Sequence, residues 1–274
     1  MSILAIDLGG TNIRAAKINH GNVLSQSSIP CPFSESEENV LSQIFKLIDT
    51  IIDKKVCKIC VGVPSVVDYT RGIVYEVQNI PSWKEVHLKN ILEKRYSRKV
   101  KVDNDVNCYT LGEKYHGSGK FYKDIVGITI GTGIGAGIII DNKLYRGTNT
   151  GAGEIGCLPY LDADYEQYCS NRFMKMNNTN GKNLSIQADN GNKKALELWN
   201  EFGYHLGKFF QAILYAYDPE AIIIGGGITT SAQYFIHSAL LSMKDHFPYQ
   251  IEINKVKIKI SSLKYCNLLG ASHL

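Results

Sequence analysis

No stretch of the 274 residues is long and apolar enough to span a bilayer, and the N-terminus lacks the charged and apolar regions of a signal peptide. Membrane insertion and secretion are therefore not expected, and a cytoplasmic location is. There is no basic run and no heptad pattern; the formal net charge of +4 is spread along the chain. Nucleic acid is accordingly not expected as a partner, and the lysines read as solvated faces. The seven cysteines are odd in number and scattered, and Cys57 and Cys60 form a CxxC with no second CxxC to complete a four-thiol metal site. They read as core residues of a buried strand, and the chain as one with reduced thiols.

What is present is ordinary globular material: 44% hydrophobic and 20% charged residues, enough chain to bury a large core as one big domain or two modest ones. The first segments read as strand (2–6), glycine turn, strand (13–18), hairpin turn and strand (23–29). Ser34 with Glu37 reads as a capping box, ahead of Val40, Leu41, Ile44, Leu47, Ile48 and Ile51 at helical spacing. A buried strand over 56–63, an amphipathic helix over 85–96, a strand over 99–102 and a helix over 106–115 follow. From residue 125 the pattern restarts, with strand, glycine turn, strand and hairpin turn. A polar stretch over 177–192 reads as a mobile loop. Then come a long helix (194–217), a strand (221–224), a glycine turn, a helix from about 231, a strand (256–260) and a short terminal helix. Two halves, each opening with an antiparallel pair joined by a glycine turn, imply a duplicated α/β topology facing across a cleft.

Four segments carry candidate chemistry. Asp7-Leu8-Gly9-Gly10-Thr11 joins two strands, and its glycines let successive backbone N–H groups approach a phosphate. Thr11 adds a hydroxyl, and Asp7 can hold magnesium directly or through water. Gly131-Thr132-Gly133-Ile134-Gly135 repeats the device; because the chain continues as a strand, it is not a dinucleotide-binding fingerprint. Gly225-Gly226-Gly227 follows an apolar strand and suits either an adenosine ring lying on the backbone or a plain turn. Asn104-Asp105 ends a strand before a helix, where an aspartate serves either as a general base toward a hydroxyl or as a helix cap.

In this order the pieces resemble the ROK family (repressors, open reading frames and kinases). The resemblance runs on through Gly62-Val63-Pro64 with Asp68, Asn79 before Pro81 and Trp83, Leu111-Gly112-Glu113, Gly153-Glu154-Ile155-Gly156, Asp218-Pro219 and Leu269-Gly270-Ala271. It implies an α/β, two-domain actin/hexokinase-type (ribonuclease H-like) ATPase fold with a central interdomain cleft. The domains would be residues 1–115 and 116–264, with the helix at about 265–274 packing back onto the first. It also implies an ATP- and magnesium-dependent sugar kinase, typically a homodimer, whose domains close on both substrates. Asp105 would be the catalytic base. Asn79, Asn104, Glu154 and Glu166 would bind the sugar. Asp7, Gly9, Gly10, Thr11, Gly131, Thr132 and Gly133 would surround phosphates and magnesium, and Gly225, Gly226 and Gly227 the adenosine.

One departure stands out. The family usually follows the glycine-glutamate-x-glycine segment with a histidine and a cysteine-rich zinc loop; here Cys157 holds the histidine position, and only Leu158 to Tyr165 separate it from Glu166. No zinc is expected. The lost histidine leaves room near the first sugar carbons, unless Tyr160 or Tyr168 fills it, so an N-acylated hexosamine joins glucose as a candidate. Two other functions compete. A family repressor would need a helix-turn-helix ahead of the first strand, which starts at Ser2. An inactive sugar-binding or sensing protein would keep the fold without turnover.

Overall fold

The computed structural model describes all of residues 1–274, which divide into two compact units. The first comprises Met1–Lys120, Arg146–Gly151 and Leu263–Leu274; the second comprises Phe121–Tyr145 and Ala152–Ser262.

In the first unit, β1 (Ser2–Leu8), β2 (Asn12–Asn19) and β3 (Asn22–Pro30) form an antiparallel meander. Helix α1 (Glu37–Ile51) leads to β4 (Val56–Val63). Three short strands, β5 (Val66–Asp68), β6 (Ile73–Tyr75) and β7 (Glu85–Val86), make a small side sheet. Then come α2 (Leu88–Tyr96), β8 (Lys99–Asn104) and α3 (Asp105–His116). The main sheet has the order β3-β2-β1-β4-β8, with β1, β4 and β8 parallel.

The strands alternate in facing. Leu4, Ile6, Val61, Val63, Val100 and Val102 are buried with α1, whose Val40, Leu41, Ile44, Leu47 and Ile48 supply the matching stripe. Each such side chain contributes roughly 1.5–3 kcal/mol. The opposite face carries Ala5 and Cys60 against Cys108 of α3 and Leu268 and Leu269 of the terminal helix Cys266–Ala271.

The second unit repeats the plan. Strands β9 (Ile125–Ile130), β10 (Ile134–Ile140) and β11 (Lys143–Tyr145) form a meander, followed by a 3-10 turn at Glu154–Cys157 and the small hairpin β12 (Pro159–Tyr160) and β13 (Ala163–Asp164). Helices α4 (Tyr165–Tyr168), α5 (Asn171–Met176), α6 (Gly181–Asp189) and α7 (Lys193–Tyr217) precede β14 (Ala221–Gly225). A 3-10 turn (Gly227–Ser231), α8 (Ala232–Lys244), α9 (Gln250–Ile253) and β15 (Lys257–Ile260) close it. The sheet order is β11-β10-β9-β14-β15. Its core gathers Trp199, Phe202, Phe209 and Phe210 of α7 with Phe235 of α8 and the strand isoleucines, Trp199 and Phe202 meeting the Phe235 ring directly. The terminal helix, α10 (Cys266–Ala271), belongs with the first unit. No helix is long and apolar enough to cross a membrane.

Four local expectations need correction. The cap of α1 is Ser36, whose hydroxyl accepts from Asn39 N–H, so the Ser34–Glu37 box does not form. The helix expected over 85–96 starts only at Leu88, because Glu85–Val86 pairs with β6 as an extended strand. The stretch 177–192 contains α6, capped by Asn180 through Asn183 N–H, and is not simply a loop. Cys60 is buried but Cys57 is exposed, since residues three apart on a strand point to opposite faces.

Candidate active site

In the first unit the parallel strands end in register. Asp7 pairs with Gly62, and Gly62 with Asp103, so the three positions lie in one row near the carboxyl ends of β1, β4 and β8. In open α/β sheets this is where ligands bind. Gly62 packs closely there: a Cβ would lie 3.1 Å from Cys108 Sγ and 3.5 Å from the Asp105 Cα, so glycine eases the approach of the start of α3 to β4.

Asp7 is buried, and burial pushes its carboxyl above the ordinary aspartate range, against the pull of Arg14 and of the Asn267 amide. Asn267 Nδ2 donates to Oδ1 at 3.3 Å, and Arg14 Nη1 stands 3.9 Å from Oδ2. No group of three or more His, Cys, Asp or Glu side chains gathers anywhere to hold a metal. A lone carboxylate fits magnesium, which commonly takes one or two protein carboxylates and fills its shell with water and substrate phosphate.

The turn after Asp7 is tight, with Gly9 N–H donating to Asn12 O at 3.0 Å. Gly10, Thr11 and Asn79 reach the surface, and the Asn79 amide lies 3.5 Å from where a Cβ on Gly10 would be.

The cap of α3 is Asn104, not Asp105. Asn104 Oδ1 accepts from Val106 N–H at 2.8 Å and Asn107 N–H at 3.2 Å, while Nδ2 donates to Ser65 O at 3.2 Å. Asp105 is thus the half-buried first residue of the helix, its backbone fixed by its neighbour's cap.

Sequence reasoning missed Asp103. This buried carboxylate accepts from Asn104 N–H, Asn107 Nδ2 and Arg146 Nε, at 2.8, 2.8 and 2.7 Å, and the Arg146 guanidinium lies 4.6 Å over the Tyr69 ring. An acid at an inward strand position was the available signal, since an acid there needs a partner.

In the second unit, Gly131-Thr132-Gly133 joins β9 to β10, and Gly131 N–H donates to Gly133 O at 2.9 Å. Glu166 Oε2 accepts the Ile134 N–H at 3.1 Å, and Arg172 pairs with its other oxygen. Glu154 opens the 3-10 turn after Gly153, whose φ of 101° and closeness to Ala136 O (1.9 Å from an added Cβ) admit only glycine. Burial pushes the Glu154 carboxyl up, the Glu166 charge adds to it, and Cys157 Sγ at 3.9 Å opposes it. The structure therefore brings Glu154, Glu166 and Cys157 together.

Tyr160 and Tyr168 are both engaged with His205 of α7. The Tyr160 hydroxyl is 3.0 Å from Nδ1, and the Tyr168 ring centroid is 4.8 Å from the imidazole.

Gly225 ends β14. Gly226 (φ 92°) lies against Ile130, where a Cβ would be 2.2 Å from the carbonyl oxygen. Gly227 lines a cavity of about 540 Å³ with Asn171, Lys175, Lys182, Thr230 and Ser231. Part of the polar stretch 177–192 is thus a cavity wall, to which it contributes Asn180, Lys182 and Ser185.

Two glycine-turn meanders, each extended by two parallel strands, define the actin/hexokinase-type ATPase fold, which a solved relative shares. A ROK family glucokinase from Streptomyces griseus, in complex with glucose and AMPPNP, matches with a TM-score of 0.83 at 25% identity, over 100% of this chain and 98% of that one. The chain belongs to the ROK family, whose model matches residues 3–274. A glucokinase of Thermotoga maritima is 27% identical over 266 residues, spanning 85% of this chain and 84% of its own. A xylose repressor of Caldicellulosiruptor bescii is 27% identical over 300 residues, spanning 96% of this chain and 75% of its own.

Proposed function

We propose that this chain is a sugar kinase that transfers the terminal phosphate of ATP to a hydroxyl of a hexose or N-acylhexosamine, with O6 as the acceptor. The observation that carries the reading is the row Asp7, Gly62 and Asp103 at the strand ends, with Asp105 held directly after it by the Asn104 cap. Asp105 accepts the hydroxyl proton as the sugar oxygen bonds to the γ-phosphorus; the bond from phosphorus to the bridging oxygen breaks and ADP leaves. Asn79, Glu154, Glu166 and the second amide hydrogen of Asn104 hold the sugar hydroxyls. Gly9 and Gly131 close the two turns through their own N–H groups, leaving Gly10 and Thr11, and likewise Thr132 and Gly133, to present backbone N–H groups and hydroxyls to the phosphates. Gly225 to Gly227 and the adjoining cavity suit the adenosine, the volume lying within the usual range for small-molecule sites. Magnesium, when bound near Asp7, neutralises phosphate charge.

Cys157 supports the N-acyl alternative. A thiol is a weak donor and acceptor, and Tyr160 and Tyr168, the alternative fillers of the space, are engaged with His205. The second reading, a non-catalytic sugar sensor, is favoured by the similarity to a xylose repressor; Asp105 and both turns favour catalysis. The test is ADP release with glucose, mannose and their N-acetylamino forms, with sugar phosphate detected by 31P NMR. The kinase reading expects sugar-dependent ADP release and a phosphorylated sugar. Sugar binding without turnover would replace it with the sensor.

A further inference from the structure

The second glycine turn is held from outside at both ends by one short stretch of chain. At its start, Gly131 O accepts the Asn171 N–H at 3.0 Å, from the first residue of α5. At its end, Glu166 Oε2 accepts the Ile134 N–H at 3.1 Å, from the first residue of β10. Contact there is so close that a Cβ on Gly133 would lie 2.1 Å from the same oxygen and 2.9 Å from the carboxyl carbon. Glu166 is fixed in turn by Arg172 on its other oxygen, and by Ser170 Oγ, which donates to the Glu166 carbonyl at 2.6 Å. Asn171 and Lys175 go on to line the cavity beside Gly227.

We propose that Glu166 couples acceptor binding to nucleotide binding, by being at once a ligand of the sugar and the support of the phosphate turn. The proposal rests on the roles given above to Glu166 and to residues 131–133. A sugar hydroxyl donated to Glu166 fixes the carboxylate in the orientation that also accepts the Ile134 N–H. The turn is then already ordered when phosphate arrives. Coupling of this kind is reciprocal: what the sugar does for the nucleotide, the nucleotide does for the sugar. It runs through one carboxylate and one backbone N–H, and the carboxylate takes the place a side chain on residue 133 would need.

The test exchanges the two assignments. Gly133→Ala alters the phosphate turn, yet its methyl group displaces Glu166. Titrated calorimetrically with no nucleotide present, the best sugar of the panel should bind it at least about fivefold more weakly than wild type, the lower end of ordinary coupling. Glu166→Gln alters a sugar ligand, yet should weaken AMPPNP by a similar factor with no sugar present, and should abolish the tightening of AMPPNP that saturating sugar gives in wild type. The second variant also stands in should Gly133→Ala not fold, which circular dichroism would reveal. Unchanged sugar affinity in folded Gly133→Ala, or unchanged AMPPNP affinity in Glu166→Gln, overturns the coupling and leaves the kinase reading intact. Failure of the wild type to bind either ligand overturns both.

Discussion

The two glycine turns occupy the same place in two sheets of the same order, yet they are supported in opposite ways. Two residues before its first glycine, the turn of the first unit has the buried carboxylate Asp7; the second has Thr129. The first is backed by amides, Asn79 beside Gly10 and Asn267 on Asp7. The second is backed by a carboxylate and an arginine, Glu166 and Arg172, brought by α4 and α5. A repeated backbone thus supports two chemistries. A turn with its own acid suits metal-bound phosphate, whereas a turn without one suits bare phosphate oxygens and takes its carboxylate from Glu166 of α4.

The sharpest way to break this comparison is to exchange the paired positions. Asp7→Asn should lower magnesium-dependent turnover by on the order of a hundredfold or more, because a metal's charge stabilisation is worth several kcal/mol. Thr129→Ala should change it far less. Equal losses in steady-state kinetics over a magnesium titration would make the two turns equivalent.

Next in size is a contrast between glycines that pack and glycines that bind. A Cβ on Gly270 of α10 would lie 1.7 Å from Cys108 O, and one on Gly112 of α3 would lie 2.2 Å from Cys266 O, whereas one on Gly131 would meet nothing within 4 Å. Gly270→Ala should therefore lower Tm by roughly 2–10 °C, as overpacking by about 1–3 kcal/mol does in a chain of this size. Gly131→Ala should leave Tm unchanged and weaken AMPPNP.

A smaller effect separates the carboxylates by pH. Burial and the Glu166 charge raise the folded-state pKa of Glu154. Its contribution to stability is therefore fully present below the ordinary glutamate value and is lost as pH rises through the raised one. Without ligand, Glu154→Gln should raise Tm at neutral pH, and the gain should vanish by about pH 4. A gain that grew on acidification would reverse the assignment. The smallest effect expected is none. Cys169 is a fully buried thiol, and no group of three or more His, Cys, Asp or Glu side chains gathers around Cys157, so EDTA should not shift Tm and elemental analysis should find no stoichiometric zinc.

The repeated meanders were legible in sequence because alternating strands flanking glycines have few other readings. The positions proposed for the phosphates and the base lie, as the sequence pattern expects, in glycine turns and at a strand end. What was not legible depends on partners far along the chain. Asp103 finds Arg146 forty-three positions away. The polar asparagines of 177–192 look like loop until a helix of their own and the Gly227 turn enclose a cavity. Ser34 and Ser36 both precede the same apolar stripe, and only backbone geometry decides that Ser36 caps. Glu85–Val86 matches a helical period but is drawn into strand by β6.

The central claim, that Asp105 accepts a proton from the sugar hydroxyl, is tested most directly by Asp105→Asn. This change keeps size and hydrogen bonding and leaves the Asn104 cap in place. With the best sugar of the panel and saturating ATP, kcat should fall by about a hundredfold to ten-thousandfold, while sugar and AMPPNP affinities stay near wild type. Turnover near the wild-type rate in the folded variant would contradict the account.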